Sequence, residues 1–353
     1  MEEFEVTCAD SGAGVYNVNG DWPQIPLINQ AQASGDVHYP KLRSITLQLI
    51  PFKWSSTALT GGLRSLTLRS LSTLNINVDR LMYIIDCNHE LEFLSLTFQV
   101  TQQAVLPLNG TTLPHLKTML LSGSYLLSTL LEALTTPALE TLGLGFEPRE
   151  PIEEAIASLL TRSGGPPLSR LTLSYTGASP FYAGLGTPGA WAFLAGAPAI
   201  RVFSVGQSSF ENIVSALARP TSAPMAMSDD EDDDGPVPVP PGVAVGAGNG
   251  DGDVGVIAAD IEPGTWLVPS LERLSLRSCH TGSDSAIQKL IKLVEARNPL
   301  QTGNGNGNNV IEPHLTRLKT LEVHDCVQLG EDVLKWLRAR VPEVKYTEPL
   351  YNR

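Results

Sequence analysis

Long apolar runs, clustered cysteines and a secretory leader are all missing from this 353-residue sequence. No run approaches the roughly 18 apolar residues that a transmembrane helix needs, so no membrane association is expected. The four cysteines, Cys8, Cys87, Cys279 and Cys326, lack CxxC spacing, which argues against a compact zinc site and favours free thiols. The acidic start Met-Glu-Glu-Phe-Glu lacks the apolar segment of a signal peptide. A cytoplasmic or nuclear protein is therefore predicted.

Basic residues are absent from two long segments. Residues 1–38 contain six acidic side chains and no Lys or Arg, and residues 220–264 contain ten acidic side chains and no Lys or Arg. These segments account for more than the whole net charge of −13, which leaves +3 on the remainder of the chain. A surface that binds nucleic acid needs a clear excess of Lys and Arg. Nucleic acid is therefore not expected as a partner.

Catalytic motifs are incomplete. His89-Glu90 is not followed by the second His of HExxH, because Phe occupies position 93. The segment Gly206-Gln-Ser-Ser-Phe210 has the context of a hydrolase nucleophile elbow, but a bulky Phe stands where the tight turn needs a small residue. A hydrolase that uses Ser208 stays open as an alternative class. The sequence predicts no catalytic, cofactor-binding or metal-ligating residues, and the chain is not expected to be an enzyme.

What the sequence does contain is one apolar phrase, Leu-x-x-Leu-x-Leu or a close variant, about every 20–30 residues apart from two longer intervals. This phrase is typical of the strand of a leucine-rich repeat. Its nine copies span residues 42–47, 63–68, 91–96, 116–121, 139–144, 168–173, 200–205, 271–276 and 318–323.

Apolar residues at helical spacing lie between the phrases. They predict helices over residues 78–87, 126–134, 152–160, 190–196, 211–218, 284–297 and 331–340. Strands that alternate with helices through short links imply right-handed crossovers and a parallel sheet. The predicted fold is therefore α/β, a leucine-rich-repeat solenoid shaped as a right-handed horseshoe. Its parallel sheet is expected on the concave side and its helices on the convex side.

The domain prediction follows from these patterns. Residues 39–353 form the solenoid, interrupted by a disordered, acidic, Pro/Gly-rich insert at 220–264 and by a Gly/Asn-rich loop at 298–313. Residues 1–38 form an acidic, irregular N-terminal extension or cap. Ser228 precedes Glu231 by three residues in acidic surroundings and is a candidate phosphosite. The insert either competes for arginines of the solenoid or is a solvated tether without a regulatory role.

We call the three apolar residues of each phrase its anchors. Cys279 and Cys326 each lie three residues after the last anchor of a phrase. That is the Asn/Cys position of a leucine-rich repeat, where a small side chain turns inward beneath the strand. Ser124 and Ser208 occupy the same position in other repeats. We therefore expect structural roles for these four side chains.

Residues that alternate with the anchors point away from the core. Small hydroxyl side chains fill most of these positions, and they suit an exposed parallel sheet with or without a binding role. The larger side chains favour a shallow peptide-binding groove whose arginines contact acidic or phosphorylated partner residues. The candidate partner-binding residues are Arg69, Phe93, Arg170, Arg273, Arg277 and His324.

The repeats resemble the leucine-rich region of F-box proteins, most closely the variable-length fungal sets. The phrases that carry this resemblance are Leu91-Glu-Phe-Leu-Ser-Leu96, Leu139-Glu-Thr-Leu-Gly-Leu144, Leu271-Glu-Arg-Leu-Ser-Leu276 and Leu318-Lys-Thr-Leu-Glu-Val323. The closing segment Leu337–Tyr346 also resembles their final helix and short strand, so the resemblance covers roughly residues 39–346. It implies that the chain recruits substrates to a cullin-type ubiquitin ligase.

No F-box, with its Leu-Pro start, is recognisable in residues 1–38. A ligase adaptor is therefore an expected partner only if an F-box lies upstream of Met1. The predicted function is protein recognition by a monomer that binds a protein or peptide substrate. The alternative is a stand-alone interaction scaffold, or a regulator like the leucine-rich-repeat GTPase activators.

Overall fold

The computed structural model describes ten segments of the chain. They are residues 2–7, 41–49, 57–69, 76–105, 107–146, 152–175, 191–218, 266–279, 285–299 and 315–349. The predicted insert at 220–264 with Ser228, most of the predicted loop at 298–313, and residues 8–38 of the predicted extension lie outside these segments.

The fold is mixed α/β and contains an 11-stranded parallel sheet. Its strands are β1 (Glu3–Thr7), β2 (Ser44–Gln48), β3 (Ser65–Arg69), β5 (Phe93–Phe98), β8 (Thr118–Gly123), β10 (Thr141–Phe146), β11 (Arg170–Tyr175), β12 (Val202–Gly206), β13 (Arg273–Arg277), β14 (Thr320–His324) and β15 (Glu343–Thr347). Each strand pairs with the sheet strands that precede and follow it along the chain. Two short parallel pairs lie outside this sheet, β4 (Ile76–Asn77) with β6 (Thr101–Gln102), and β7 (Thr111–Thr112) with β9 (Leu134–Thr135).

Helices connect many of the strands. The α-helices are α1 (Val78–Asp86), α2 (Ser128–Ala133), α3 (Ile152–Arg162), α4 (Phe210–Leu217), α5 (Ala286–Arg297) and α6 (Glu331–Arg338). Short 3-10 helices cover Thr57–Thr60, Tyr125–Leu127 and Ala192–Gly196. The prediction of a helix at 190–196 is confirmed in place, but Ala192–Gly196 is a short 3-10 helix of five residues. Pro198, two residues after its end, cannot continue the helix. None of the helices in the described part of the chain is long and apolar enough to span a membrane.

The two periodicities of the sequence decide which side chains are buried. In β3, Leu66 and Leu68 are fully buried, whereas Ser65 and Thr67 are partly exposed. The same alternation recurs in β2, β5, β8, β11 and β12, whereas in β13 and β14 the outward residues Ser275, Thr320 and Glu322 are buried as well. Every anchor of the nine phrases is buried. Buried helix residues join these anchors in one apolar core. The prediction that the nine phrases are parallel strands of one sheet is therefore confirmed.

A recurring backbone turn ends four of the strands. Leu49, Gln207, Ser278 and Asp325 each follow a strand directly and adopt a left-handed conformation, with φ between 47° and 56°. Their N–H groups donate to the carbonyl of the last residue of the next strand, at distances from 2.8 to 3.1 Å. The left-handed residue thus redirects the chain while its N–H still has a hydrogen-bond acceptor.

Strand β1 is an addition to the predicted fold. Residues 3–7 were expected within an irregular extension, but they pair in parallel with β2 and add a strand to the sheet. Phe4 and Val6 are the only two apolar residues that alternate with polar ones there, and this pattern is too short to identify a strand from the sequence. At the other end, β15 matches the short final strand that the family resemblance implied.

The predicted loop at 298–313 begins with an ordered residue. Asn298 is buried, and its amide donates to the carbonyls of Leu318 and Arg340 at 2.8 and 3.0 Å. Its Oδ1 accepts from the N–H of Leu318 at 2.9 Å. This side chain therefore belongs to the core rather than to a flexible loop.

Candidate functional site

One face of the 11-stranded sheet carries the side chains that point away from the apolar core, and we call it the polar face. Because neighbouring strands are paired in register, their outward residues form rows across the sheet. The row nearest the strand starts contains Glu3, Ser44, Ser65, Phe93, Thr118, Thr141, Arg170, Val202, Arg273, Thr320 and Glu343. The polar face is therefore a set of ordered rows on which charge positions can be read directly.

The structure divides the predicted arginines into two groups. Arg69 lies on β3, four strands away from Arg170 on β11, which corresponds to about 19 Å at the usual strand spacing. Arg170 and Arg273 lie in the same row with one strand between them, about 10 Å apart. Phe93 lies on β5, away from the second group. Arg69 and Phe93 therefore do not belong to the same patch as the other predicted residues.

We call the second group the basic end. It comprises the polar-face residues Arg170, Arg273, Arg277, Glu322, His324, Glu343 and Lys345. Glu322, Glu343 and Lys345 are not among the predicted site residues. Their place beside the arginines follows from the pairing of β13, β14 and β15, which no local motif signals.

Glu322 is the centre of an ion network at the basic end. Lys345 Nζ lies 3.0 Å from Glu322 Oε1, and Arg277 Nη2 lies 3.6 Å from Glu322 Oε2. Lys345 also contacts Glu343 Oε1 at 3.2 Å, and the Thr320 hydroxyl donates to Glu343 Oε2 at 2.9 Å. Side chains from three adjacent strands therefore hold one another in place.

The electrostatics of the network follow from these contacts. The hydrogen bond from Lys345 lowers the pKa of Glu322, with a further contribution from Ser275 and against the opposing effect of burial. The carboxylates of Glu322 and Glu343 raise the pKa of Lys345. The Thr320 hydroxyl, followed by Lys345, lowers the pKa of Glu343. At neutral pH the network is therefore fully ionised.

Arg170 and Arg273 differ from Arg277 in their ion pairing. All three residues are exposed, but among the described residues only Arg277 forms a salt bridge with a carboxylate, that of Glu322. Glu343 shares their row, but its oxygens already accept from Thr320 and contact Lys345. The two guanidiniums can therefore bind an external anion without first breaking an internal ion pair.

Small residues surround the middle of the polar face. A Cβ on Gly143 would lie 2.6 Å from Leu120 Cδ2, so the Leu120 side chain occupies the space above that glycine. A Cβ on Gly145 or Gly206 would likewise lie close to a neighbouring side chain, 3.0 Å from Ser122 Oγ and 3.3 Å from Ser174 Oγ. The central surface is therefore formed by small and medium-sized side chains that cover the glycines, which makes it shallow.

His324 does not act as an isolated imidazole. Its Nδ1 lies 3.1 Å from the Thr347 hydroxyl on the neighbouring strand. The predicted site residue therefore stands at the border of the basic end, in a hydrogen bond with β15.

The alternative chemistry at Ser208 lacks a base in this geometry. Ser208 is buried, and its hydroxyl has no hydrogen-bond partner in the described part of the chain. A serine nucleophile needs a hydrogen-bonded base. Cys279 and Cys326 are also buried in the register that the sequence predicted. Within the described segments, no group of three or more His, Cys, Asp or Glu side chains could hold a metal ion.

Comparison with protein-family models gives no match for this chain, and comparison with curated proteins gives none either.

Proposed function

We propose that this chain is a leucine-rich-repeat protein that recognises another protein through its polar face, as the substrate-binding part of an F-box-type ubiquitin ligase receptor. The observation that carries the proposal is the unbroken order of 11 parallel strands, nine of which are built on the same apolar phrase. Stacked repeats bury their apolar sides against one another and leave a continuous recognition surface. The coupling to a ligase depends on the resemblance of phrases such as Leu271–Leu276 to F-box proteins.

The surface itself supports macromolecular binding rather than small-molecule chemistry. Its middle is shallow at Gly143 and Gly145, and its outward residues are mainly hydroxyl-bearing. Small-molecule sites are concave and mostly apolar. An extended peptide or a folded protein surface suits a long, shallow and polar sheet better.

A bulky substitution on the polar face tests the proposal. Thr172 is exposed on β11, and Thr172→Trp would place a large side chain among the small residues of the middle row. Thr161→Trp is the matched control, because Thr161 is exposed on the helix side, on α3. We expect wild type and Thr161→Trp to capture the same proteins from a native lysate, and Thr172→Trp to lose them.

The captured proteins decide between the two roles. A ligase adaptor and a cullin among them support the ligase role, whereas a small GTPase supports the regulator. Equal capture by wild type, Thr161→Trp and Thr172→Trp would contradict recognition through the polar face.

A further inference from the structure

Arg170 and Arg273 form a pair with a fixed spacing. They stand at equivalent register positions on β11 and β13, and β12 separates them. Two strand spacings of about 4.8 Å place their Cα atoms about 9.6 Å apart. The spacing is fixed by the backbone, because three paired strands hold it.

The strand between the two arginines leaves the space above it open. Its outward residues are Val202, Ser204 and Gly206, which are all small. The atom nearest to a Cβ on Gly206 would be Ser174 Oγ, at 3.3 Å, so another small side chain flanks this end of β12. A peptide backbone can therefore pass over β12 and reach both guanidiniums.

The remaining charges at the basic end balance one another. Arg277 and Lys345 contact Glu322, and Lys345 also contacts Glu343. Arg277 and Lys345 thus match the two carboxylates in number, which leaves a net charge of +2 at the basic end. Arg273 also interacts electrostatically with Glu343 and helps to lower its pKa, but it forms no salt bridge with a described carboxylate. A guanidinium prefers a bidentate carboxylate or phosphate as its partner, which makes the pair a receptor for two anionic groups.

From this geometry we infer that the polar face binds an acidic peptide segment in polyproline II conformation, with its acidic residues three positions apart. A polyproline II helix has three residues per turn and rises about 3.1 Å per residue, so residues i and i+3 share a face about 9.3 Å apart. That distance matches the spacing of about 9.6 Å between the Cα atoms of Arg170 and Arg273. In a β-strand, residues on one side are about 6.7 or 13.4 Å apart, and neither distance matches. The inference rests on the proposed function, because it names the ligand class of the same surface.

A peptide series tests the spacing. The probes are fluorescein-labelled, Pro-rich peptides with Glu at every second, third, fourth or seventh position, and one peptide with Gln at every third position. Fluorescence anisotropy measures their affinity for the full chain. Because two charge-assisted contacts add, the Glu peptide with three-residue spacing should bind at least about tenfold more tightly than the Gln peptide. Its affinity should fall as salt rises, because the contacts are exposed.

Charge reversal tests the residues. The double variant Arg170→Glu with Arg273→Glu should bind the peptide with Glu at every third position at least about tenfold more weakly than wild type does. Its circular dichroism and melting temperature should be unchanged. Arg69→Glu is the matched control, because it reverses the same charge on the same face four strands away. It should leave the affinity within about twofold. The milder pair Arg170→Gln with Arg273→Gln should weaken binding even if the reversal disturbs the fold.

Four outcomes would overturn the inference. The first is equal affinity of the Glu and Gln peptides, and the second is undiminished peptide binding by both double variants of Arg170 and Arg273. The third is tightest binding at another Glu spacing, such as the seven residues of an α-helix. The fourth is tighter binding of a single-stranded oligonucleotide than of any peptide. The Thr172→Trp experiment separates this failure from failure of the proposed function. If Thr172→Trp loses the captured proteins while the double variants of Arg170 and Arg273 still capture them, only the acidic-peptide inference is wrong.

Discussion

The backbone N–H of Cys279 donates to the sulfur of Cys326 at 3.2 Å. The two residues follow β13 and β14 at equivalent positions, and both are buried. The Cys326 sulfur also lies 3.1 Å from the carbonyl oxygen of His324. The hydrogen-bonding contact with the Cys279 thiol, together with burial, raises the pKa of Cys326. This pair therefore connects two adjacent strand ends inside the core.

Thiol reactivity follows from this arrangement. In a Cys8→Ser background, we expect the half-buried Cys87 to be alkylated first at neutral pH. Cys326 should resist alkylation until the protein unfolds, because the thiolate is the reactive form and burial excludes the reagent. Mass spectrometry of iodoacetamide-labelled peptides, with and without denaturant, measures the order. Labelling of Cys326 before Cys87 in the native protein would contradict the buried contact.

The ion network predicts an acid-sensitive contribution to stability. The folded-state pKa of Glu322 lies below its ordinary value of 4.5, so its contribution is present above about pH 4.5 and is lost as the pH falls through the folded value. Glu322→Gln should reduce the free energy of unfolding by about 1–2 kcal/mol at neutral pH, because Arg277 and Lys345 lose their shared partner. The difference between wild type and this variant should shrink between about pH 5 and pH 3.

Urea denaturation at several pH values measures this difference. Glu295→Gln, on the exposed side of α5, is the control and should leave the free energy of unfolding nearly unchanged. A Glu322→Gln effect that stays constant across the acid range would show that the carboxylate charge is not responsible.

Gly123 occupies a position where only glycine fits. It ends β8 with φ of 103°, and a Cβ there would lie 2.1 Å from the carbonyl oxygen of Phe98. Gly123→Ala should lower the free energy of unfolding by about 2–5 kcal/mol, because backbone strain and overlap with a paired strand add. Gly164→Ala is the matched control, with φ of 69° but no atom within 4 Å of the added Cβ.

Gly164→Ala should lower the free energy of unfolding by only about 1 kcal/mol, because only the left-handed backbone conformation opposes the added Cβ. Thermal and urea unfolding measure both variants. Equal destabilisation by the two substitutions would show that the contact with Phe98 carries no energetic weight.

Asn88 connects three elements through a buried side chain. Its Oδ1 accepts from the N–H of Leu63 at 2.8 Å, and its Nδ2 donates to the carbonyls of Leu59 and Ile84, each at 2.7 Å. Asn88→Leu should reduce the free energy of unfolding by about 2–4 kcal/mol, because it leaves buried backbone groups without partners. Asn77→Ala, which removes an amide that makes no capping hydrogen bond, should have little effect. Urea denaturation of both variants measures the contrast.

The sequence predicted the sheet well and the site only in part. The anchors of phrases such as Leu66 and Leu68 identify their strands because burial repeats every second residue, and this signal is local. The helices α1 and α3 were predictable because their apolar residues recur at helical spacing. Strand β1 was not predictable, since two alternating apolar residues are also common in loops.

The sequence by itself determined which residues are buried anchors and which alternate with them on the opposite face, because both properties depend on periods of two and 3.6 residues. Only the tertiary structure decided which of the outward charges are already neutralised. The register of β13 with β14 places Glu322 opposite Ser275, between the two arginines of β13, and Glu322 forms its salt bridge with Arg277, whereas Arg273 lies opposite Thr320 and has no salt bridge with a described carboxylate. Ion pairs between strands depend on distances between segments remote in sequence, and no local pattern encodes those distances.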